Sequence, residues 1–261
     1  MKKYLMVWTI LTKLSFAEVL STRFSAALFL TAKTLRFIFF FLFLLHLIGN
    51  TGGLLGYSRD QVVLFFLVYN IVDITTQLFF RGVYFFRQKV VSGELDFYLV
   101  KPMNPLFRII AGNADLLDLI TLVGLIIYIG WFLPNSSLVI TPAKLLLFFV
   151  LMATSLLIAL SFHIIVVAIG VIALEVDHSI MIYRDITQMA RFPVDIYTEP
   201  LRSALTFVLP VAIMFTVPAK ALIGLIYPST VLLSLFITFC FLVFSLRLWR
   251  YALSQYSSAS S

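Results

Sequence analysis

The sequence contains one cysteine, Cys240, and only 12% of its 261 residues are charged. A single cysteine excludes an internal disulfide and a cysteine-based metal cluster. The phosphate loop Gly-x-x-x-x-Gly-Lys-Ser/Thr, the zinc motif His-Glu-x-x-His and the nucleophile elbow Gly-x-Ser-x-Gly are all missing. The histidines, His46, His163 and His178, lack the spacing of metal ligands. We therefore predict no metal site, no catalytic residue and no ATP hydrolysis by this chain through a phosphate loop.

Apolar residues dominate the chain instead. They make up 62% of it, 27 of them are phenylalanines, and the mean hydropathy is +1.06. This composition predicts an all-α, polytopic membrane protein that contacts the lipid bilayer. The net charge of +7 would also fit a nucleic-acid-binding protein. In a membrane protein, however, such an excess of Lys and Arg lies on the cytosolic side, so we predict no nucleic-acid partner.

Six apolar runs predict transmembrane helices, because a crossing needs ~20 mostly apolar residues. They lie at about 35–55, 61–80, 116–133, 145–174, 203–217 and 230–246. Residues 1–34 predict an N-terminal interfacial helix, since Tyr4 and Trp8 share one helical face while charged residues lie elsewhere. The segment 218–228 is too short to cross and predicts a half-inserted hairpin or an interfacial helix. Residues 35–261 would thus form one six-helix transmembrane domain.

The distribution of Lys and Arg predicts how the chain is oriented. With both termini in the cytosol, nearly all of the 19 basic residues fall on the cytosolic side, including Arg184, Arg191 and Arg202 of the polar segment 175–202. The exceptions are Arg59, Lys144 and Lys220. Inverting the chain would reverse this bias. By the positive-inside rule we predict a multi-pass protein of the plasma (inner) membrane with both termini cytosolic.

The longest polar interlude, residues 81–108, lies between the second and third predicted spans. Three apolar residues share one face of a short helix there: Val83, Phe86 and Val90. Ser92-Gly93 should end this helix, because glycine adopts the left-handed conformation easily. Asn104-Pro105 should start the next one, as an N-cap followed by proline at the first helical position. The pattern fits either an ordinary basic loop or a docking surface for a cytosolic partner.

A polar stripe lies inside the second predicted span. It consists of Asn70, Asp73 and Gln77, at helical positions i, i+3 and i+7. A carboxylate in the membrane costs at least ~2.5 kcal/mol, so Asp73 should face protein or water rather than lipid. The stripe would either line a substrate path or an interface with another membrane subunit, or form structural hydrogen bonds between neighbouring spans.

The loop contains the stretch Gly93-Glu94-Leu95-Asp96-Phe97-Tyr98-Leu99-Val100-Lys101-Pro102, followed by Asn104-Pro105-Leu106. This stretch resembles the signature loop of ABC-2 type export permeases, in the branch described as uncharacterised ABC transport system permease components. The second half of the chain is similar as well, with the segment from Arg191 to Tyr197, Pro210 and Pro218-Ala219 in matching order. The resemblance covers nearly the whole chain.

The resemblance implies a transmembrane permease subunit of an ATP-driven ABC exporter that binds no cofactor itself. Two permeases, identical or related, would pair with two cytosolic ABC ATPase subunits, which bind ATP and Mg. Loop 81–108 would carry a cytosolic coupling helix, and 218–228 would be a short outer re-entrant segment. Asn70, Asp73 and Gln77 would lie on the translocation path or at the permease interface.

The resemblance also implies which side chains contact the ATPase. Glu94 and Asp96 offer charges for basic partner residues, and the apolar side chains that follow offer anchors. The full set of candidate ATPase-coupling residues is Arg87, Glu94, Asp96, Phe97, Tyr98, Leu99, Lys101 and Pro102.

Two other functions stay open from the residues alone. An ion-coupled carrier or channel could use Asp73 as a proton or cation site, and internal inverted repeats would favour it. No such repeat is visible in the sequence. A membrane scaffold that transports nothing is the second alternative.

Overall fold

The computed structural model describes residues 2–51, 53–54, 56–173 and 176–256. This part of the chain is almost entirely helical and contains no β-strand, which confirms the all-α prediction. The helices are α1 (Lys2–Ser21), α2 (Arg23–Thr51), α3 (Arg59–Phe80), α4 (Phe86–Val91), α5 (Glu94–Val100), α6 (Pro105–Ile110), α7 (Leu116–Phe132), α8 (Pro142–Ala173), α9 (Val176–Gln188), α10 (Leu201–Val208), α11 (Ala212–Ile223) and α12 (Pro228–Gln255).

Within the described ranges, six helices are long and apolar enough to cross a membrane: α1, α2, α3, α7, α8 and α12. The bent pair of α10 and α11 is also apolar enough to enter the membrane, as a broken span or as a re-entrant loop. The prediction of a polytopic membrane protein is therefore confirmed. Helix α1 reaches the length of a span, although none of its residues is buried. Its location at the membrane interface stays a prediction.

Helices α3 and α8 form the centre of the bundle. Every residue of α3 from Val62 to Tyr69 is buried, as in a helix that has neighbours on all sides. Helices α2 and α12 instead expose large apolar side chains, among them Phe39 and Phe236. This outward apolar surface is what a lipid-facing helix presents.

The bundle has two ends. We call the end that carries α4, α5 and α6 the loop end, and the opposite one the far end. At the far end, the carboxylate of Asp60 accepts a hydrogen bond from the backbone N–H of Ser137 at 2.7 Å, which joins the start of α3 to the segment between α7 and α8. The side chain of Lys144 lies against Gly224, which follows α11.

Helix α9 corrects the predicted topology. It begins at the loop end, where Asp177 forms an ion pair with α4. It then runs back along α8, with Tyr183 packed against the middle of that helix. The chain reaches the far end at Asp195, which accepts a hydrogen bond from Tyr57 at 2.8 Å. The described part of the polar segment, residues 176–202, therefore runs from one end of the bundle to the other instead of forming a loop at a single end.

The error has a physical cause. Arg184 and Arg191, which we predicted to be cytosolic, are half-buried inside the bundle, and Arg202 lies near Asp195 at the far end. Charged side chains lower the hydropathy of a segment, but neighbouring helices can shield them from lipid. A count of Lys and Arg treats such a segment as a loop, because it contains no information on tertiary shielding.

Helices α10 and α11 form a re-entrant element at the far end. The break between them, residues 209–211, bends the chain by 78° and contains Pro210, which has no N–H for a helical hydrogen bond. Asp195, which precedes α10, accepts a hydrogen bond from Lys220 in α11 at 2.9 Å, so the pair enters and leaves at the same end. This single element replaces the predicted span 203–217 and the half-inserted segment 218–228. Helix α9, which is too short to count among the six candidate spans, runs between the two ends of the bundle in place of that span.

Candidate functional site

The loop between α3 and α7 is packed firmly onto the bundle. Phe86 and Val90 of α4 are buried, and so is Val83 in the 3-10 turn before it, which confirms that the three residues share one apolar face. Arg87 lies on the other face, exposed, 3.3 Å from Asp177 of α9. Helix α4 thus fixes the loop against α8 and α9 while leaving its basic side open.

The turns of the loop follow the predicted chemistry. Gly93 has φ of 75° and separates α4 from α5. The side chain of Asn104 accepts a hydrogen bond from the N–H of Leu106 at 2.9 Å, and Pro105 starts α6. Close packing adds a constraint that local rules miss: a Cβ on Gly82 would collide with the backbone carbonyls of the last turn of α6.

Helix α5 has one buried and one exposed face. Leu95 and Tyr98 are buried, whereas Phe97 is 65% and Val100 78% exposed. Leu99 is also exposed. The surface that this loop presents is therefore an apolar edge within a basic segment.

Tyr98 is only 7% exposed, so its ring offers little surface to a partner, and its role in coupling stays a prediction. Its ring lies within reach of three cations: Lys89 at 5.6 Å, Lys101 at 6.0 Å and Arg108 at 5.3 Å from its centroid. Such cation–π contacts stabilise the loop internally. Burial raises the pKa of Tyr98, so its ring stays neutral.

The other predicted coupling residues lie around the same edge. Glu94, Lys101 and Pro102 are exposed, while Asp96 accepts a hydrogen bond from the hydroxyl of Tyr256 at 3.0 Å. The structure thus gathers the predicted set on one loop but turns Tyr98 inward and ties Asp96 to the C-terminal end of α12.

Helix α1 rests on the loop, a contact that the sequence did not predict in residue detail. The ring of Tyr4 packs edge-on against Phe107 with centroids 4.9 Å apart. Its hydroxyl accepts a hydrogen bond from the backbone N–H of Asn104, and Lys3 donates to the carbonyl of Pro102 at 2.9 Å.

A buried ion-pair cluster closes the base of the loop. Asp115 and Asp118 are only 4% and 2% exposed. Lys33 of α2 donates to Asp118, and Arg81 at the end of α3 donates to Asp115. The cluster therefore joins three helices, and each carboxylate has a second cation at 3.6 Å. Sequence reasoning missed it, although the spacing Asp115-x-x-Asp118 at the start of an apolar run is a visible signal.

Above this cluster, α2, α3, α7 and α9 enclose a cleft of about 510 Å³. The predicted polar stripe lies on its wall: Asn70, Asp73 and Gln77 all line it. The amide of Gln77 donates to Asp73 at 2.8 Å, and the amide of Asn70 donates to the carbonyl of Phe66 at 2.7 Å. These hydrogen bonds stay within α3, so the stripe faces the cleft and does not bridge two spans through them.

Three arginines line the cleft opposite the stripe: Arg36, Arg184 and Arg191. The guanidinium of Arg191 lies 5.1 Å from the ring centroid of Phe40, and that of Arg184 lies 5.9 Å from the ring of Tyr84. Sequence reasoning missed this group because Arg184 on α9 and Arg191 in the turn that follows it belong to a segment whose course was predicted wrongly.

A family model described as ABC-2 family transporter protein matches residues 30–260, which is most of the chain. The chain belongs to the ABC-2 family. No curated protein and no solved structure matches it. It is therefore a membrane-embedded permease of an ABC transport system. Members of this family are membrane components that work with ABC ATPases and are not themselves catalytic.

The far end of this ABC-2 permease contains a second polar cluster, centred on Asp195. Lys220 and Tyr57 both donate to its carboxylate, at 2.9 and 2.8 Å. Burial alone would raise the pKa of Asp195, but these hydrogen bonds outweigh it and keep the pKa below its ordinary value. Burial and the neighbouring carboxylate raise the pKa of Tyr57. The cluster joins the re-entrant element to the segment between α2 and α3.

Proposed function

We propose that this ABC-2 permease is the membrane subunit of an ATP-driven exporter whose loop end docks onto a separate cytosolic ATPase. That ATPase subunit binds ATP and Mg²⁺, and a second permease, identical or related, completes the translocation path. The observation that carries the proposal is the exposed apolar edge of α5. Solvated loops seldom expose neighbouring large apolar side chains such as Phe97 and Val100 unless a partner covers them.

The way in which the loop is fixed supports a mechanical role. Helices α4 and α6 connect the apolar edge directly to α3 and α7, and the cluster of Asp115 and Asp118 fastens both helices to α2. A partner that pulls on α5 would move these helices as rigid bodies instead of deforming a flexible loop.

The cleft is the proposed translocation path on this subunit. Asn70, Asp73 and Gln77 provide polar contacts along it. ATP-driven closure of the ATPase subunits would move α3 and α7 and so open the cleft alternately to the two sides. In this scheme the permease lies in the plasma membrane and its loop end faces the cytosol. The re-entrant α10–α11 element covers the outer exit.

A surface variant of α5 tests the docking. Phe97→Ala combined with Glu94→Lys removes the exposed ring of α5 and reverses a charge at the start of that helix, and both side chains are exposed. Truncating an interface anchor typically costs about 2 kcal/mol, so we expect roughly 30-fold weaker co-purification with the ATPase. The measurement is the ratio of ATPase to permease after tagged purification, together with ATP-dependent transport.

Tyr227→Ala is the matched control, since this aromatic residue is similarly exposed but lies just before α12 at the far end. It should leave co-purification unchanged. An unaltered subunit ratio and unaltered coupled transport in the α5 variant would refute the docking proposal. Ion-gradient-driven flux by the permease alone would instead favour a carrier that uses Asp73.

A further inference from the structure

The cleft carries an excess of positive charge. Among the residues that the structure describes, Arg36, Arg184 and Arg191 have no carboxylate within salt-bridge distance. Asp73 is the acidic member of the stripe, and its carboxylate attracts all three arginines at longer range. At the mouth of the cleft, Lys33 and Asp118 already neutralise each other.

Such an arrangement is costly in a membrane-embedded bundle. Charged side chains within transmembrane segments normally pair with each other or mark the route of an ion or substrate. One carboxylate cannot neutralise three guanidinium groups, and Asp73 already accepts a hydrogen bond from Gln77. An anion of suitable size would therefore be stabilised between α2, α3 and α9.

The other walls of the same cleft are apolar and aromatic. Phe37 and Phe40 of α2, Phe66 of α3 and Tyr128 of α7 line it. The first three rings pack against one another, with Phe37 and Phe40 at 5.3 and 5.2 Å from Phe66. A small hydrated anion would gain nothing from this surface, whereas a hydrocarbon chain would bury apolar area against it. The volume of about 510 Å³ lies in the range of ordinary ligand pockets.

We propose that the cleft binds an anionic amphiphile, with its phosphate or carboxylate headgroup on Arg184 and Arg191 and its apolar chain along the aromatic wall. This inference rests on the proposed function, because it assigns the substrate class to the same path. Guanidinium groups suit both headgroups, since their planar donors bind two oxygens at once. The cleft extends from Lys33 at the loop end towards Phe66 deeper in the bundle, so the amphiphile enters from the loop-end leaflet.

The test uses the permease in nanodiscs, with and without its co-purified ATPase. The probes are a spin-labelled phosphatidylglycerol and a phosphatidylcholine with the same chains and label, which differ in net charge. We expect the protein to immobilise the anionic probe preferentially. Arg184→Gln combined with Arg191→Gln should weaken that preference about tenfold, because charge-assisted hydrogen bonds are lost.

Two further variants separate charge from folding. Arg184→Lys with Arg191→Lys keeps the positive charge and should retain most of the preference. Arg250→Gln removes an exposed arginine near the end of α12, away from the cleft, and should change nothing. Inorganic phosphate, added as a competitor at the same concentration as the anionic lipid probe, should not displace that probe.

Equal immobilisation of the two lipid probes, or a preference that survives the double glutamine variant, would overturn the proposal. Displacement by inorganic phosphate would show that a free anion, and not an amphiphile, is the ligand. A complex that forms and hydrolyses ATP without any lipid preference contradicts only this inference. Failure of the ATPase to co-purify contradicts the proposed function, while the binding comparison on the permease alone still decides the amphiphile question.

Discussion

Each end of the bundle contains ion pairs that join its helices, and the ion pairs at the two ends differ in how deeply they are buried. At the loop end, Asp115 and Asp118 are buried and share two cations. At the far end, Asp195 and Lys220 form one pair whose side chains are 33% and 23% exposed. Buried charges lose much when a partner is removed, whereas exposed pairs contribute little.

In the proposed mechanism, this difference fits a loop end that transmits force and a far end that opens. The loop-end cluster joins α2, α3 and α7, so these helices separate only if two buried carboxylates lose their cations. The far-end cluster joins the re-entrant element to the turn before α3 through groups that water already reaches. An exit that opens repeatedly is better served by contacts of the second kind.

Accessibility labelling tests most directly whether the two ends of the bundle lie on opposite sides of the membrane. In a background with Cys240→Ser, we expect Lys101→Cys to resist a membrane-impermeant maleimide in intact cells and to react after permeabilisation. Thr198→Cys, which is exposed after α9, should react from outside. This all-or-none contrast follows because α9 carries the chain from the loop end to the far end.

The labelling outcome is decisive in both directions. Protection of Thr198→Cys together with Lys101→Cys would mean that α9 does not cross, as the count of basic residues first indicated. External labelling of Lys101→Cys would place the loop outside and refute docking onto a cytosolic ATPase.

Removing one buried carboxylate should have the largest effect on stability. Asp118→Leu leaves Lys33 and Arg81 to share Asp115. Breaking a buried pair costs 3–5 kcal/mol, but both cations partly reach solvent, so we expect a loss of about 2 kcal/mol. The measurement is the thermal unfolding midpoint in detergent, which should fall by about 5 °C.

A matched control lies nearby at the same end. Asp177→Leu breaks the pair with Arg87, in which the two side chains are 54% and 57% exposed, and should change stability by less than about 0.5 kcal/mol. Adding Lys33→Met to Asp118→Leu should restore part of the loss, because Asp115 then pairs with one cation instead of two. Equal midpoints for Asp118→Leu and Asp177→Leu would remove the distinction between the two kinds of ion pair.

The smallest effect is expected at the far end. The pKa of Asp195 is lower in the folded protein than in the unfolded chain, so its ion pair stabilises the fold above the ordinary pKa of aspartate. This contribution is lost as pH falls through the folded pKa. Asp195→Asn should lower stability by no more than about 1 kcal/mol near neutral pH. The difference in stability between Asp195→Asn and wild type should narrow as the pH falls below the ordinary pKa of aspartate.

Thermal unfolding midpoints of Asp195→Asn and wild type, measured from neutral to acidic pH, give this difference in stability. Lys220→Arg keeps the charge and should behave as wild type. A gap between Asp195→Asn and wild type that widens on acidification would contradict the assigned direction of the pKa shift.

The features that the sequence predicted correctly depend on neighbouring residues alone. The buried face of Phe86 and Val90 follows from helical spacing, and the turn at Gly93 follows from the backbone freedom of glycine. The start of α6 at Asn104-Pro105 follows from capping chemistry. Asn70, Asp73 and Gln77 were predicted to lie on one face for the same reason, and that face lines the cleft.

The features that the sequence did not predict depend on contacts between distant segments of the chain. The partners Lys33 and Asp118 are 85 residues apart, and no local pattern pairs them. Arg184 lowers the hydropathy of α9, so the segment resembles a loop until α3 and α8 are known to cover it. Pro210 signalled a bend in the chain, but the return of the chain to the same end is visible in contacts between distant residues, such as the hydrogen bond between Asp195 and Lys220.

The contact between α1 and the loop has a mechanical consequence. Helix α1 is a rod about 30 Å long. Its N-terminal turn contacts Pro102 and Asn104, and its C-terminus is joined through Thr22 to α2. A rotation of the loop by about 5° would sweep the distal tip of such a rod by about 3 Å. Helix α2 forms a wall of the cleft, and buried ion pairs join it to α3 and α7. In the proposed mechanism the N-terminal rod would therefore act as a second lever, which pulls on this wall together with α3 and α7.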